Sequence, residues 1–413
     1  MRPLRATHAC NLASAGLSLL AVTTMLFAIG GPAAGSQTEE TASPAAAPAP
    51  GRPAGLWSAS SIAALQAEIE AAAAEGLEPE AYNAAALRGI GEGPEADRLA
   101  TSLAIALAQD YARGRIEDAS RFGWHIQRND ADANSLGQQL YAALRQDRLR
   151  PWLRSLLPTD ARYAALRTAY ASASGEPVRA KLRANMERWR WMPRSLGADH
   201  IYVNVPSYTL SVVEDGRPVS AYTVVVGSPS TPTPQIAVEA QSVVVNPWWN
   251  VPRSIARNMK AGGNGYVYSR GSIRQRPGPR NALGKVKIDM PNPHSIYLHD
   301  TPSKSLFAEK SRAFSHGCIR VKDIDRLAVE LMELDRGETA EVQKALAGSA
   351  TRTVKLQQRR PVYLVYFTMD VAPDGRLVTL EDPYGRDTKL IAGLQRETQL
   401  ASAQLRSSSK TRA

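Results

Sequence analysis

The hydrophobic pattern changes period once along these 413 residues, and that change limits the fold more than any other feature. From Leu56 to about Ser174 apolar residues recur at three- and four-residue spacing, the period of one helix face. Ile62, Leu65, Ile69 and Ala73 open the series, with a cap expected at Ser60-Ser61 and a stop at Gly76. Leu99 to Tyr111 and Leu136 to Arg148 repeat it, with Ala-rich faces and polar backs. A basic helix carrying Trp189 and Trp191 is predicted over Lys181 to Pro193. Beyond it the runs are short and strand-like: Ile201 to Val205, Thr209 to Val213, Ala221 to Val226, Ser242 to Asn246, Ser295 to His299 and Cys318 to Val321. Asp215-Gly216 marks a tight hairpin, and Pro373-Asp374-Gly375 a second one between Pro361–Val371 and Leu377–Leu380. Asp323 to Leu334 reads as a helix with Ile324, Leu327, Leu331 and Leu334 inward. The predicted class is α+β: an all-helical N-terminal scaffold domain, then a β-rich domain that holds the chemistry.

The first 36 residues carry a different instruction. Arg2 and Arg5 precede an uncharged apolar stretch from Leu12 to Gly31, and small residues follow in Pro32-Ala33-Ala34-Gly35-Ser36. That is the order of a secretory signal peptide, or of an N-terminal membrane anchor if it is not cleaved, and either predicts export. Residues 37–55, rich in Ala, Pro, Thr and Gly, read as a flexible linker. The helical scaffold is assigned to 56–180, the β-rich domain to 181–395, and 396–413 to a disordered basic tail.

Charge and cysteine content narrow the function. The formal charge of +11 favours an anionic partner, either acidic lipid or a carboxylate-bearing polymer, or is simply spread over solvated helices. No Lys/Arg run interleaves with aromatics, so nucleic acid is not expected. Of the two cysteines, Cys10 lies in the leader, which leaves Cys318 without a disulfide partner. Its thiol is either inert and buried, or reactive.

The segments Tyr297-Leu298-His299-Asp300 and Ser315-His316-Gly317-Cys318-Ile319-Arg320 favour a reactive thiol. A thiol of ordinary pKa is only a few per cent thiolate at neutral pH, so a nucleophile needs a base beside it, and His299 is a candidate. Gly317 permits a tight turn, and backbone N–H groups of Gly317 and Cys318 can stabilise an oxyanion. In a strand Tyr297 shares a face with His299, where its hydroxyl is a further donor; Arg320 shares a face with Cys318 and can hold a carboxylate. By spacing alone His316 and Cys318 also remain possible metal ligands, completed by Asp or Glu.

His299 followed sixteen residues later by Ser315-His316-Gly317-Cys318 resembles the signature of the YkuD-type L,D-transpeptidase catalytic domain. Val203-Asn204-Val205-Pro206, Asn246-Pro247-Trp248-Trp249-Asn250-Val251-Pro252, Asn281-Ala282-Leu283-Gly284 and Ile296 to Pro302 resemble the large YcbB-type branch. The resemblance spans about 181–390 and, more loosely, the helical half. It implies a periplasmic enzyme in which Cys318 attacks a peptidoglycan tetrapeptide, expels D-Ala and passes the acyl group to a meso-diaminopimelate-type amine, forming a 3–3 crosslink. It further implies that His299 is the base, that the Asp300 carbonyl orients its ring, that His316 shapes the pocket, that carbapenems acylate the thiol, and that no metal or cofactor is needed. Two departures are visible. No peptidoglycan-binding module fits in the few residues between the two parts, and the Ser254–Arg270 stretch is short for the branch's substrate cap.

Trp189, Trp191, Trp248 and Trp249 are read as packing residues before sugar-stacking ones, and His125, His200 and His294 as surface or loop residues. Arg253 and Arg257 are either donor-carboxylate contacts or a solvated face, and Asn246 and Asn250 either bond substrate or form turns. Rival activities are L,D-carboxypeptidase, protein–peptidoglycan ligase and non-catalytic wall binding. A papain-type or NlpC-type protease has the opposite order of Cys and His.

Overall fold

The computed structural model describes residues 55–410 apart from 129–131, 258, 260–264, 270 and 373. The proposed leader and nearly all of the linker, and Pro373 of the second hairpin, lie outside the described residues. Residues 53–413 form one compact unit that includes both the helical and the β-rich parts.

Among the described residues six α-helices fill the first part: α1 Ala59–Ala71, α2 Pro94–Arg113, α3 Ala133–Arg145, α4 Leu149–Ser155, α5 Ala161–Ser172 and α6 Glu176–Arg190. The cap of α1 is Ser58 rather than Ser60-Ser61. Ser58 and Ser61 exchange side-chain and backbone bonds in a capping box, which starts the helix two residues earlier. A 3₁₀ turn over Ala72–Glu75 ends at Gly76, whose left-handed φ of +73° supplies the expected stop.

The β-rich part contains β1 His200–Asn204, β2 Thr209–Glu214, β3 Arg217–Gly227, β4 Ile236–Val245, β5 Trp249–Asn250, a short helix α7 Arg253–Ala256, β6 Tyr266–Ser269, β7 Ser272–Gln275, β8 Val286–Asp289, β9 Leu298–His299, β10 Ala313–Ser315 and β11 Ile319–Val321. Then follow α8 Ile324–Leu334, α9 Thr339–Ala347, β12 Arg352–Val365, β13 Met369–Val371, β14 Leu377–Thr379 and α10 Arg386–Lys410. The main sheet runs β10-β3-β11-β9-β8-β4-β12-β1-β2, and β2 pairs back onto β3, so the strands close into a barrel-like ring. The β2–β3 hairpin turns at Asp215 and Gly216 with φ of 49° and 74°, the paired left-handed conformation that matches strand twist. The second predicted hairpin is smaller than expected: among the described residues β13 pairs only with β14, while β12 leaves it to run between β1 and β4. The stretch read as a disordered tail is instead helical through Lys410, and Thr398 bonds Glu78 at 2.8 Å.

Among the described residues the two largest apolar cores hold these layers. One lies within the barrel and includes Val203, Val224, Val243, Leu298, Ile319 and, from α8 and α9, Leu327, Leu331 and Val342. The other joins the helices to the outer face of the sheet, where Tyr202, Tyr363, Val365, Phe367 and Met369 pack with Leu65, Leu107 and Leu166. Trp189 stacks on Phe367 at 4.8 Å, and the fully buried Trp191 meets Trp124 edge-on at 5.4 Å, so both are core residues.

The basic helix of the sequence is the centre of this second core. Arg190 pairs with Glu187 at 3.0 Å, both 2% exposed or less, and Glu187 also accepts the Ile116 N–H at 2.8 Å. Gly114 must be glycine here: its φ is +78° and a Cβ would lie 2.4 Å from Glu187 Oε1. Arg188 pairs with Asp387 of α10 at 2.7 Å. Asn185 accepts the Thr368 N–H at 2.9 Å and donates to the Thr368 hydroxyl at 3.0 Å, sewing α6 to the strand region. Asn185→Leu strands that buried N–H and is expected to cost about 2–3 kcal/mol. Urea unfolding followed by both far-UV and tryptophan signals should show a single shifted transition. Separate transitions would mean that the two parts are not coupled here. Among the described residues no helix is long and apolar enough to cross a membrane.

Candidate active site

Strand β9 lies between β8, to which it is antiparallel, and β11, to which it is parallel. Leu298 pairs with Ile319, and His299 with Arg320. Leu298 and Ile319 are fully buried in the barrel core, so alternation puts Tyr297, His299, Cys318 and Arg320 on the opposite face. The Tyr297 and His299 rings meet edge-on at 5.5 Å, as residues sharing a face should.

His299 is 5% exposed, and its Nδ1 lies 2.5 Å from the Asp300 carbonyl oxygen. A carbonyl only accepts, so Nδ1 carries the proton and Nε2 of the neutral ring keeps its lone pair. Burial, then the nearby Arg320 charge, push the ring's pKa down to about 3 against the pull of that carbonyl. The imidazole is therefore neutral at ordinary pH.

Asp300 is itself fastened. Its carboxylate accepts the Lys285 N–H at 2.9 Å and pairs with Lys304, and its own N–H bonds Val286 O at 2.9 Å. Gly284 makes room for that carboxylate: its φ is +60°, and a Cβ would sit 2.4 Å from an Asp300 oxygen. Asn281, in the same turn, ties the carbonyls of Pro247 and Arg276 and accepts the Leu283 N–H.

Cys318 is half-buried just before β11, where Ile319 N–H donates to Tyr297 O at 3.1 Å and so draws residue 318 beside Tyr297. Burial raises the thiol pKa, while hydrogen bonds from Tyr297 oppose it. Burial, with Cys318 adding to it, also raises the Tyr297 hydroxyl, which stays a proton donor. The thiol donates to the Ser295 carbonyl at 3.6 Å and makes no hydrogen bond to His299 in this resting arrangement. The two are a diagonal pair on neighbouring strands, with His299 opposite Arg320 and Cys318 two positions before it.

One expected oxyanion donor is corrected. Ser315 Oγ accepts the Gly317 N–H at 3.0 Å and donates to Cys318 O at 2.6 Å, so the Gly317 N–H is already committed. Among the described hydrogen bonds the Cys318 N–H has no acceptor. Gly317 has a φ of +111°, so the turn before the thiol requires glycine. Ser315 is buried, whereas His316 is exposed. Arg320 is half-buried, has no ion-pair partner among the described residues, and leaves its buried Nε unbonded; burial lowers its pKa. Among the described residues no three His, Cys, Asp or Glu side chains converge as metal ligands would.

The remaining conspicuous residues fall into place. Asn246 bonds the carbonyls of Ala345, Gly348 and Ala350, a structural tie, and Arg253 and Arg257 are exposed. Trp249 packs with Tyr266 near Tyr297, and the Arg274 guanidinium covers Trp248 at 4.6 Å. The Ser254–Arg270 stretch is only partly described. His200, expected at the surface, is 6% exposed and bonds Gly197 O through Nδ1 at 3.0 Å. Sequence reasoning missed Ser295, Thr231, Thr233 and Tyr384. The closely spaced Thr231-Pro232-Thr233-Pro234 is a loop signal, but nothing local tied it to the thiol.

Residues 198–342 match the family model of the L,D-transpeptidase catalytic domain, YkuD, and residues 53–169 match that of the Scaffold domain. A Haemophilus influenzae protein described as "Putative L,D-transpeptidase" is 34% identical over 241 residues, 51% of this chain. The chain spans about half, 48%, of that relative's length. An L,D-transpeptidase structure from Mycobacterium smegmatis is 14% identical, covering 40% of this chain and 58% of that one with a TM-score of 0.23. One from Enterococcus faecium is 12% identical, covering 41% and 50% with a TM-score of 0.23. The matched domain and the order His299, Ser315-His316-Gly317-Cys318 define an L,D-transpeptidase catalytic domain. The chain thus carries a YkuD-type L,D-transpeptidase catalytic domain preceded by a Scaffold domain.

Proposed function

We propose that this protein is a peptidoglycan L,D-transpeptidase that works through a Cys318 thioester. The observation that carries the reading is the shared face of Tyr297, His299, Cys318 and Arg320, with the His299 tautomer set by Asp300. A stem tetrapeptide binds with a carboxylate on Arg320. The Cys318 sulfur turns from Ser295 toward His299, gives its proton to Nε2, and attacks the carbonyl carbon of the amide before D-Ala. The Cys318 N–H and the Tyr297 hydroxyl receive the negative charge on the carbonyl oxygen. The C–N bond breaks as His299 returns the proton to the departing D-Ala amine, leaving the thioester. The side-chain amine of a second stem, of meso-diaminopimelate type, then attacks the thioester and loses a proton to His299. The new amide forms a 3–3 crosslink, and the thiol takes the proton back.

Residues 1–36, as signal peptide or anchor, would deliver the enzyme to the periplasm. The acceptor is tested by incubating the enzyme with a disaccharide-tetrapeptide alone. Crosslinked dimer in the mass spectrum is expected. Disaccharide-tripeptide without dimer would make water the acceptor and the enzyme a carboxypeptidase.

A further inference from the structure

The Cys318 N–H and the Gly317 carbonyl belong to one peptide, and a planar trans peptide points them in opposite directions. Whatever grips the Gly317 oxygen therefore aims the Cys318 N–H. That grip is Thr233. Its hydroxyl donates to Gly317 O at 2.8 Å and accepts the Gly227 N–H at 2.9 Å, and the residue is fully buried.

Thr233 is held in turn by Tyr384. The Thr233 N–H donates to the Tyr384 hydroxyl at 3.2 Å, and that hydroxyl donates to Gly227 O at 2.7 Å. Gly227 has no room for a side chain, because a Cβ would lie 2.3 Å from Thr231 O. The Tyr384 ring stacks on Tyr366 at 5.3 Å, and the Tyr384 N–H bonds the Tyr366 hydroxyl at 2.9 Å. The loop between β3 and β4 meets the nucleophile turn a second time: Ser228 N–H and Thr231 Oγ1 both donate to Ser315 O, at 2.8 and 2.9 Å.

We propose that Thr233 and Tyr384 are positioning residues for acyl transfer: they lock the Gly317–Cys318 peptide so that its N–H meets the oxyanion. The inference rests on Cys318 being the acylated nucleophile. Neither residue touches the reacting atoms. Tyr384 also lies beyond residues 198–342, so a C-terminal segment outside the matched catalytic domain completes the oxyanion site.

Two reactions of the same sulfur separate positioning from folding. Acylation of the full chain by a carbapenem opens the β-lactam through a tetrahedral oxyanion. Alkylation by iodoacetamide displaces iodide at a saturated carbon and forms no oxyanion. Both rates are read at Cys318 by peptide-resolved mass spectrometry. Thr233→Val should slow saturated acylation by about a hundredfold and Tyr384→Phe by about tenfold, because a misaimed donor loses most of its transition-state contribution. Carbapenem affinity and the alkylation rate should stay at wild-type values, and Thr233→Ser should recover acylation. Parallel loss of both reactions would make the two residues merely structural and overturn the proposal, as would wild-type acylation in Thr233→Val. A wild-type chain that alkylates at Cys318 but never acylates would instead sink the acyl-enzyme reading, and this inference with it.

Discussion

Cys318→Ala should eliminate the covalent carbapenem adduct and all crosslinked product, while leaving the protein folded. The only other cysteine, Cys10, lies in the proposed leader, so no second thiol in the described residues can take over the attack. The thiol is half-buried at the end of a short strand, and alanine removes only the sulfur, with little lost packing. Intact-mass measurement after carbapenem treatment checks the result, and thermal melting checks the fold. An adduct of normal size on the variant would assign the nucleophile elsewhere. Any residual rate would have to come from the oxyanion donors and binding groups that remain.

His299→Ala should slow acylation by roughly two to four orders of magnitude, the usual worth of a general base. The buried ring supports a sharper expectation. With its pKa near 3, His299 remains an unprotonated base well below the ordinary histidine range. The thiol pKa is raised, so Cys318 stays protonated on the alkaline side beyond an ordinary cysteine. The reacting pair is thus a neutral imidazole and a neutral thiol. The wild-type acylation rate should form a broad plateau through neutral pH, with no falling limb near about 6.5 where an exposed histidine would titrate. A steep acid limb there would show that the ring is more open than this structure has it. An undiminished rate in the alanine variant would remove His299 from the role.

The site was legible in proportion to how much of it is local. His299, Ser315, Gly317 and Cys318 lie on two short strand ends, and parity along a strand was enough to group Tyr297 with His299 and Arg320 with Cys318. The residues that hold this group could not be read the same way. Thr233 reaches Gly317 across 84 positions, and Tyr384 reaches Thr233 across 151. Ser295 serves the thiol through a backbone carbonyl, for which side-chain type carries no signal. The Gly317 N–H is taken up for a related reason: the Ser315 hydroxyl competes for it in a turn whose geometry only the tertiary structure sets.

The helical half was legible as helices but not as a packing unit. Arg188, Arg190 and Glu187 look like a solvated face, because isolated charges are costly to bury. Each is buried because it is partnered: Arg188 by Asp387 from α10, Arg190 by Glu187 on its own helix, and Glu187 also by the distant Ile116 N–H.

From residues alone came the change from helical to strand period, the glycine-bearing turns, and the thiol–imidazole pair with its chain order. Each depends on local φ/ψ preference, side-chain periodicity or intrinsic chemistry. Closure of the barrel, the burial that neutralises His299, and the clamp on the Gly317–Cys318 peptide were decided only in the tertiary structure. Desolvation and hydrogen-bond direction depend on atoms from distant parts of the chain, whose proximity exists only once the fold has formed.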